Sequence, residues 1–428
     1  MEKAVRVPIR TVRPSAGEVK PTSNWPLWLS IGAFAVLIRI LFALFIGRFW
    51  HLELWEPEAI AQHLLKGDGF IYEHFNAIYR SYCEPLYPFL VAGIYALTNH
   101  SQTVLLIVHA VLYSFTAILA GQIAWLLTRR LSVAVLASLL IAVDPALILY
   151  TTKQHPLVLD ALLITAVSLT GLLYALKPTT RQAVWVGIIL GLCTLTRPTI
   201  LAALPLIAWW IWRWTTGQAK TRWKRTLLMT GCAVIIVTPW VIRNAQIQGQ
   251  FLLTRSNTPF VFWLGNNPHA TGSALDQNGE DLLSHEDPKF IAAIRSSDEM
   301  TQNRLFGKAA LDYVRSDPWG FIRRTAQKWF FFWWFSPQAG ILYPGGWIHL
   351  YRFWWGILCA AGLWGLWSLR TVAPASRALF VLPIGIALAM ATAQSFFYIE
   401  GRHRLSIEPT LIGLAAFGLI QSWKKWKP

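Results

Sequence analysis

Residues 26–49, PLWLSIGAFAVLIRILFALFIGRF, run directly into residues 50–70, WHLELWEPEAIAQHLLKGDGF. The first stretch is an apolar run interrupted in its interior only by Arg39. Its length meets the requirement of about 20 apolar residues for crossing about 30 Å of hydrocarbon. It is too long for a signal-peptide apolar core and has no small-residue cleavage site after it, so it reads as an uncleaved first span. The second stretch places Glu53, Glu56 and Glu58 immediately beyond that span. An apolar helix emerging into an acidic loop sets the pattern for the rest of the chain.

Working outward, ten spans are expected, at 26–49, 102–127, 131–150, 157–176, 182–196, 198–213, 225–242, 347–369, 376–397 and 405–423. The composition agrees. Of 428 residues, 55% are hydrophobic and 14% charged, and 24 are Trp; soluble domains carry about 25% charged residues. The net charge of +17 does not mark a nucleic-acid binder, because the basic residues lie in short clusters between apolar runs. Cys83, Cys193, Cys232 and Cys359 are scattered, with neither metal spacing nor a disulfide framework.

Those basic clusters orient the chain. They fall in the N-terminal tail (Lys3, Arg6, Arg10, Arg13, Lys20), at Arg129–Arg130, Lys177–Arg181, Arg213–Arg225, Arg370–Arg377 and Lys424–Lys427. Placing them all inside puts both termini in the cytoplasm. Acidic residues sort the opposite way. Segments 51–85 and 251–320 hold 15 of the 21. Carboxylates have little influence on insertion, so their concentration on one side points to a working surface there. The expected parts are a basic cytoplasmic tail (1–25), a transmembrane module (26–247) with an external loop at 51–101, an external loop with interfacial helices (248–346), a C-terminal transmembrane part (347–423) and a short tail (424–428).

The loops have local structure of their own. Pro57 suits an early helical position, Ile60, Leu64 and Leu65 lie at helical spacing, and Gly67 and Gly69 end the pattern. The run PLYPFLVAGIYAL (85–97) is too short to span and reads as an interfacial or re-entrant helix. A helical pattern covers 287–315 and breaks at Asp317–Pro318. The aromatic, basic segment RRTAQKWFFFWWF (323–335) reads as a helix lying on the external surface. No tandem or inverted repeat is evident.

Four groups can carry chemistry. Glu53, Glu56 and Glu58 at a membrane face can orient a nucleophile, accept its proton or bind a metal, although a solvated acidic loop has the same composition. Arg80 and Glu84 sit before two prolines that stiffen the chain, where Arg80 is either an anionic-headgroup contact or an interfacial anchor. YIEGRHRLSIEP (398–409) holds Glu400, Arg402, His403, Arg404 and Glu408. Arginines outside the membrane run against the positive-inside trend, so either a phosphate or ion pairing with loop carboxylates must explain them. Asp160, near Lys153 and His155, lies at a span end and is either a second acid facing the first loop or an ordinary interfacial carboxylate. Arg39 should face the bundle and pair there. Arg197 and Arg243, at external span ends, either contact lipid phosphate or snorkel.

Five stretches in order, WEPEAIAQHLLKGDGF, EPLYPFL, LGLCTLTRPTI, FWLGNNPHATG and GRHRLSIEP, resemble the bacterial dolichyl-phosphate-mannose-protein mannosyltransferase-like proteins. These form glycosyltransferase family 39 within the GT-C superfamily, and the likeness reaches from about 26 to 420. It implies an all-α polytopic GT-C bundle of about ten transmembrane helices with interfacial helices and a small external helical segment. It further implies a sugar donor carried on a polyprenyl phosphate and inverting transfer to an acceptor at the external face of a bacterial inner membrane. The family's first-loop base falls on Glu56, with Glu58 or Glu53 in reserve; the intervening Trp departs from the family's usual acidic pattern. Asp160 would be the second acid. Arg402 and Arg404, with Arg80 or Arg243, would contact the donor phosphate. Glu84, Tyr87, His403 and Asn266 would contact sugar or acceptor. No cofactor or metal is expected to be required, since the first loop lacks an Asp-x-Asp pair. The sugar and the acceptor, whether lipid, glycan or protein, are not readable. A transporter or flippase, or a membrane scaffold without catalysis, is the alternative. A transporter would place polar or broken helices near the midplane, whereas here the ionisable residues crowd one face, with Arg39 the main exception.

Overall fold

A computed structural model of the chain describes residues 24–338 and 346–426; most of the expected basic N-terminal tail and the last residues of the C-terminal tail lie outside them. Helix α1 (Trp25–Phe45) is followed by α2 (Glu56–Lys66), a two-stranded antiparallel hairpin β1 (Tyr72–His74) and β2 (Ala77–Tyr79), and α3 (Leu86–Thr98). The bundle continues with α4 (Gln102–Thr128), α5 (Leu131–Ala142), α6 (Pro145–Thr151), α7 (Leu157–Leu176), α8 (Thr180–Thr194), a 3-10 turn (Pro198–Ala203), α9 (Leu204–Trp214) and α10 (Ala219–Gln248). A peripheral segment holds α11 (Thr258–Leu264), α12 (Pro288–Arg295), α13 (Glu299–Ser316) and α14 (Pro318–Trp333). The chain closes with α15 (Trp347–Ser368), α16 (Pro374–Leu379), α17 (Val381–Gln394), α18 (Gly401–Leu405) and α19 (Glu408–Trp426).

Every expected span coincides with helix. By length and apolarity, five segments suffice to cross a membrane among the described residues, or six if the bent α5–α6 pair is one span. The architecture is that of an all-α, multi-pass membrane protein. Two of the ten expected spans, 182–196 and 198–213, are short and divided in the sequence by Pro198. Pro198 starts a 3-10 turn between α8 and α9, since proline cannot donate into a continuing helix.

Residues 131–150 are not the single span expected. α5 stops at Ala142 and α6 starts at Pro145, bent by 49°. Asp144 caps α6, accepting from the N–H of Ala146 at 3.0 Å and of Leu147 at 2.9 Å. The carbonyls orphaned at the end of α5 are taken by Arg39, whose Nη1 donates to Ala142 at 2.9 Å and whose Nη2 donates to Ile141 at 3.2 Å. Arg39 thus faces the bundle as expected and mends the broken ladder. Asp144 also accepts from Trp354 Nε1 at 2.8 Å.

The first loop follows its sequence closely. Gly67 ends α2 in the left-handed region at φ 87°. The helix 85–97 is α3. The hairpin was not foreseen; its turn is Phe75–Asn76, both at positive φ, and Asn tolerates that region. The expected helix 287–315 divides into α12 and α13 because Asp298 caps α13 from its side chain. Asp317 caps α14, so the break foreseen at Asp317–Pro318 begins a new helix. The peripheral segment packs a small core of its own around Trp263, Leu282, Ile294 and Phe306. Tight small-residue packing joins α15 to α19: a Cβ at Gly365 would lie 2.0 Å from the Leu414 carbonyl.

Candidate functional site

Six connections converge at one end of the bundle: the α1–α2 loop, the turn before α3, residues 152–156, the α8–α9 junction, residues 250–264 and residues 396–402. All were expected on the external side. Backbone and side-chain bonds draw them together. Glu53 pairs in parallel register with Lys153, its N–H donating to Thr152 at 3.0 Å and its carbonyl accepting from Gln154 at 2.8 Å. The segment before Glu84 is fixed by the Glu299 carboxylate, which accepts from Arg80 N at 2.7 Å, Ser81 N at 3.0 Å, Gln248 Nε2 at 2.7 Å and Ser256 Oγ at 2.5 Å.

Between these connections lies a cleft of about 230 Å³. Its walls include Trp55, Glu56, Tyr82, Glu84, Tyr87, His155, Arg255, Phe260, Tyr398 and Arg402. Glu56 and Arg402, the residues on which the sequence reading depends, face the same space.

The charges in and around the cleft pair off. Glu53 meets Lys153 at 2.7 Å, Glu84 meets Arg255 at 3.3 Å, Asp160 meets Arg197 at 3.2 Å and Glu400 meets Arg402 at 2.8 Å. Glu56 stands apart, with no hydrogen-bond or ion-pair partner among the described residues. It occupies the first turn of α2, where a carboxylate complements the helix dipole. Arg402 is held by Tyr398 Oη at 2.9 Å and lies 4.9 Å over the Trp55 ring. Burial pushes the Glu400 carboxyl up, against the pull of Arg402, and nearby Glu56 pushes it the same way.

Of the expected residues, Glu56, Glu84, Tyr87 and Arg402 line the cleft. The others lie outside that lining. Glu58 is buried, and its oxygens are spent on Gln62 at 2.9 Å, Tyr95 at 2.8 Å and Gln154 at 2.6 Å, so it locks α2 onto α3. Arg404 has 0% exposure and donates to Glu408 at 2.8 Å, Tyr351 Oη at 2.8 Å and the carbonyls of Phe332 and Trp334. That guanidinium is fully used inside the bundle, one helical step from its cleft-lining neighbour. Arg243 ties the carbonyls of Arg80 and Phe70 to Ser81, and the Arg80 side chain is exposed away from the cleft lining. His403 accepts from the Glu400 N–H at 3.1 Å, closing the cap of α18. Asn266 is buried, donating to Phe396 O at 2.8 Å. Asp160 stands behind the cleft on Arg197, next to Thr196 of the lining.

Sequence reasoning missed Arg255, His155 and Tyr398. Arg255 lies in a turn-rich stretch without periodicity, and the only signal was its place in an external segment. It also lines a second, larger groove of about 870 Å³ with Arg304, Lys308 and Arg315, and among the described residues no acidic residue lines that groove. Phe251, Leu253, Ala202 and Phe397 supply apolar wall. A shallower depression shares Ala202, Ala393 and Phe397 and continues along Leu388, Ala389 and Thr392 of α17. The cleft therefore meets, at Arg255, a basic and apolar groove that runs onto the apolar segment Ser376–Gln394, long enough to cross a membrane.

Buried Lys328 of α14 pins two cleft walls, donating to Gly265 O at 3.0 Å, Asn266 Oδ1 at 3.1 Å and Phe396 O at 3.4 Å. It has no carboxylate partner there. Burial, and to a lesser degree Arg324, lowers it from 10.5 to about 7. Unfolded, the amine holds its proton up to about 10.5, so between these values the unfolded chain binds more protons and stability rises with pH. Below about 7 the burial penalty is fully present. Thermal unfolding in detergent at pH 6.5 and 9 should show wild type gaining relative to Lys328→Met, by up to ~1.4 kcal/mol per pH unit. Equal pH responses would refute this.

Among the described residues, one group has metal-ligand spacing: Asp276, Glu280 and His285, ligand atoms within 4.8 Å. It lies in the loop after α11, outside the cleft lining, and Asp276 is already bonded to the N–H of Asn278 and Glu280 and to His285.

Residues 83–242 match the protein family described as dolichyl-phosphate-mannose-protein mannosyltransferase. No curated protein matches by sequence. The fold is similar to the oligosaccharyltransferase of Archaeoglobus fulgidus in its apo form, with TM-score 0.53 and 12% identity over 94% of this chain and 51% of that one. It is likewise similar to the archaeal oligosaccharyltransferase AglB from Archaeoglobus fulgidus in complex with an inhibitory peptide and a dolichol-phosphate, with TM-score 0.51 and 12% identity over 92% of this chain and 50% of that one. A weaker likeness, TM-score 0.44 at 14% identity over 95% of this chain and 80% of that one, is to ArnT from Cupriavidus metallidurans bound to undecaprenyl phosphate. The chain spans about half the length of the oligosaccharyltransferases it matches. The likeness to GT-C proteins read from the sequence is borne out, and the fold is a GT-C fold.

Proposed function

We propose, with the GT-C fold as premise, that this chain is an inverting glycosyltransferase that moves a sugar from a polyprenyl-phosphate donor to an acceptor. The observation that carries the reading is the unpartnered Glu56 carboxylate, in a cleft whose other charges are paired and which adjoins a basic, apolar groove at Arg255. The described activity of the matched family and the dolichol-phosphate on one structural relative support the donor class.

In this mechanism the acceptor enters beside Glu56, which takes its proton as it attacks the anomeric carbon. The bond to the lipid phosphate breaks on the opposite side. Arg402 and Arg255 receive the charge gathering on that phosphate, exchanging their carboxylate partners Glu400 and Glu84 for it. The tail leaves through the groove along α17. No metal or cofactor is required in this reading. Concentration of charge at one end of the bundle, rather than along a path through it, favours an enzyme over a transporter. The positive-inside pattern supports an external site with both termini cytoplasmic, and the resemblance to bacterial proteins makes a bacterial inner membrane the proposed location.

The test is incubation of the purified chain, in proteoliposomes, with polyprenyl-phosphate sugars and envelope acceptors, followed by mass spectrometry of lipids, glycans and proteins. Transfer of a sugar from one such donor is expected. Absence of transfer from every donor, with the protein folded, would remove the proposal.

A further inference from the structure

Among the titratable groups of the cleft that the mechanism above does not use, His155 is the one imidazole. His155 sits between α6 and α7 and lines the cleft. Its Nδ1 lies 3.0 Å from the backbone N–H of Leu157, and a backbone N–H can only donate. Nδ1 is therefore the acceptor, and the neutral ring carries its proton on Nε2. The ring is fixed on two further sides, edge-on to Trp55 at 5.1 Å and to Tyr150 at 5.5 Å. No protein partner of Nε2 is found among the described residues. Burial keeps the ring neutral, as do Arg402, Arg197 and Lys153, which hold it well below the usual imidazole value.

With its proton on Nε2 and its Nδ1 lone pair taken by the Leu157 N–H, the neutral ring has no free lone pair with which to accept a proton. It offers one uncharged N–H in a rigid position. Anionic groups in the cleft have Arg255 and Arg402 as better partners, since charge-assisted bonds are roughly twice as strong. The partner suited to an uncharged donor is a neutral hydroxyl.

We infer that His155 is a specificity-determining residue, whose Nε2–H donates to one ring hydroxyl of the transferred sugar. The inference rests on the glycosyltransferase reading and names a feature of that same site: the donor sugar carries a free hydroxyl at the position facing His155.

The experiment measures kcat/KM for wild type, His155→Phe and His155→Gln with a donor set in which each sugar hydroxyl is replaced in turn by hydrogen. Gln places an N–H near the position of Nε2, whereas Phe keeps ring shape without a donor. Wild type should lose about 10-fold with one deoxy donor, the worth of a neutral hydrogen bond. His155→Phe should lose about the same with the full donor and nothing further with that deoxy donor. His155→Gln should recover most of the rate, and its discrimination. Unfolding midpoints in detergent check that each variant is folded; should His155→Phe not fold, His155→Leu, which also lacks a donor, takes its place. Equal discrimination by wild type and His155→Phe against every deoxy donor would overturn the assignment. So would a bell-shaped rate profile whose limb near pH 6.5 disappears in His155→Gln, which would make the ring an acid or base. A wild-type chain inactive with all donors would instead overturn the glycosyltransferase reading, and this inference with it.

Discussion

Glu56→Gln is expected to abolish sugar transfer, by about 10²–10⁴-fold in kcat, while leaving the unfolding midpoint within experimental error. Both halves follow from its isolation. The carboxylate has no partner to lose, so neutralising it orphans nothing, and Gln keeps its shape at the start of α2. The paired carboxylates behave differently. Glu84→Gln and Glu400→Gln leave Arg255 or Arg402 without its counter-charge and should disturb the cleft itself. Glu58→Gln should lower stability rather than remove chemistry, because three donors, of which Tyr95 and Gln154 are buried, depend on that carboxylate. Steady-state transfer with detergent unfolding run in parallel separates the cases. Full activity in Glu56→Gln would show that another group takes the acceptor's proton.

Arg404→Met is expected to cost about 3–5 kcal/mol of stability, enough to prevent accumulation of folded protein, since it strands a buried Glu408. Arg404 and Glu408 have side-chain exposures of 0% and 1% and lie 2.8 Å apart, with Tyr351 bonded to both. Arg402→Met, two residues earlier, should give folded protein that has lost transfer. Thermal unfolding and expression yield measure the first; donor kinetics measure the second. If Arg404→Met folds normally and loses only donor affinity, the division of labour in GRHR is reversed.

That division shows where sequence reading ended. The stretch was recognisable as two arginines on the external side, and both were assigned to phosphate. Only the turn of α18 decides that one faces the cleft and its neighbour faces α15. Spacing of i and i+2 on a helix puts side chains on different faces, but the short helix itself was not legible. The three first-loop glutamates behave alike in composition and diverge in space. Glu53 is taken by Lys153, a residue 100 positions away, and Glu58 by Gln154, 96 positions away. Glu56 was singled out by resemblance, and its isolation became visible only with those partners in place.

The sequence by itself determined the helical, membrane-spanning class, the crowding of carboxylates into two loops and the local stops at Gly67, Pro198 and Asp317. Each of these depends on contiguous residues: apolar length, charge, or the φ demanded by one glycine or proline. Tertiary structure alone decided which carboxylate remains unpaired, that Arg39 repairs the α5–α6 break, and that Arg255, His155 and Tyr398 join the cleft. Those outcomes depend on partners far apart in the chain, and pairing across such distances is set by how the helices pack, not by any local pattern.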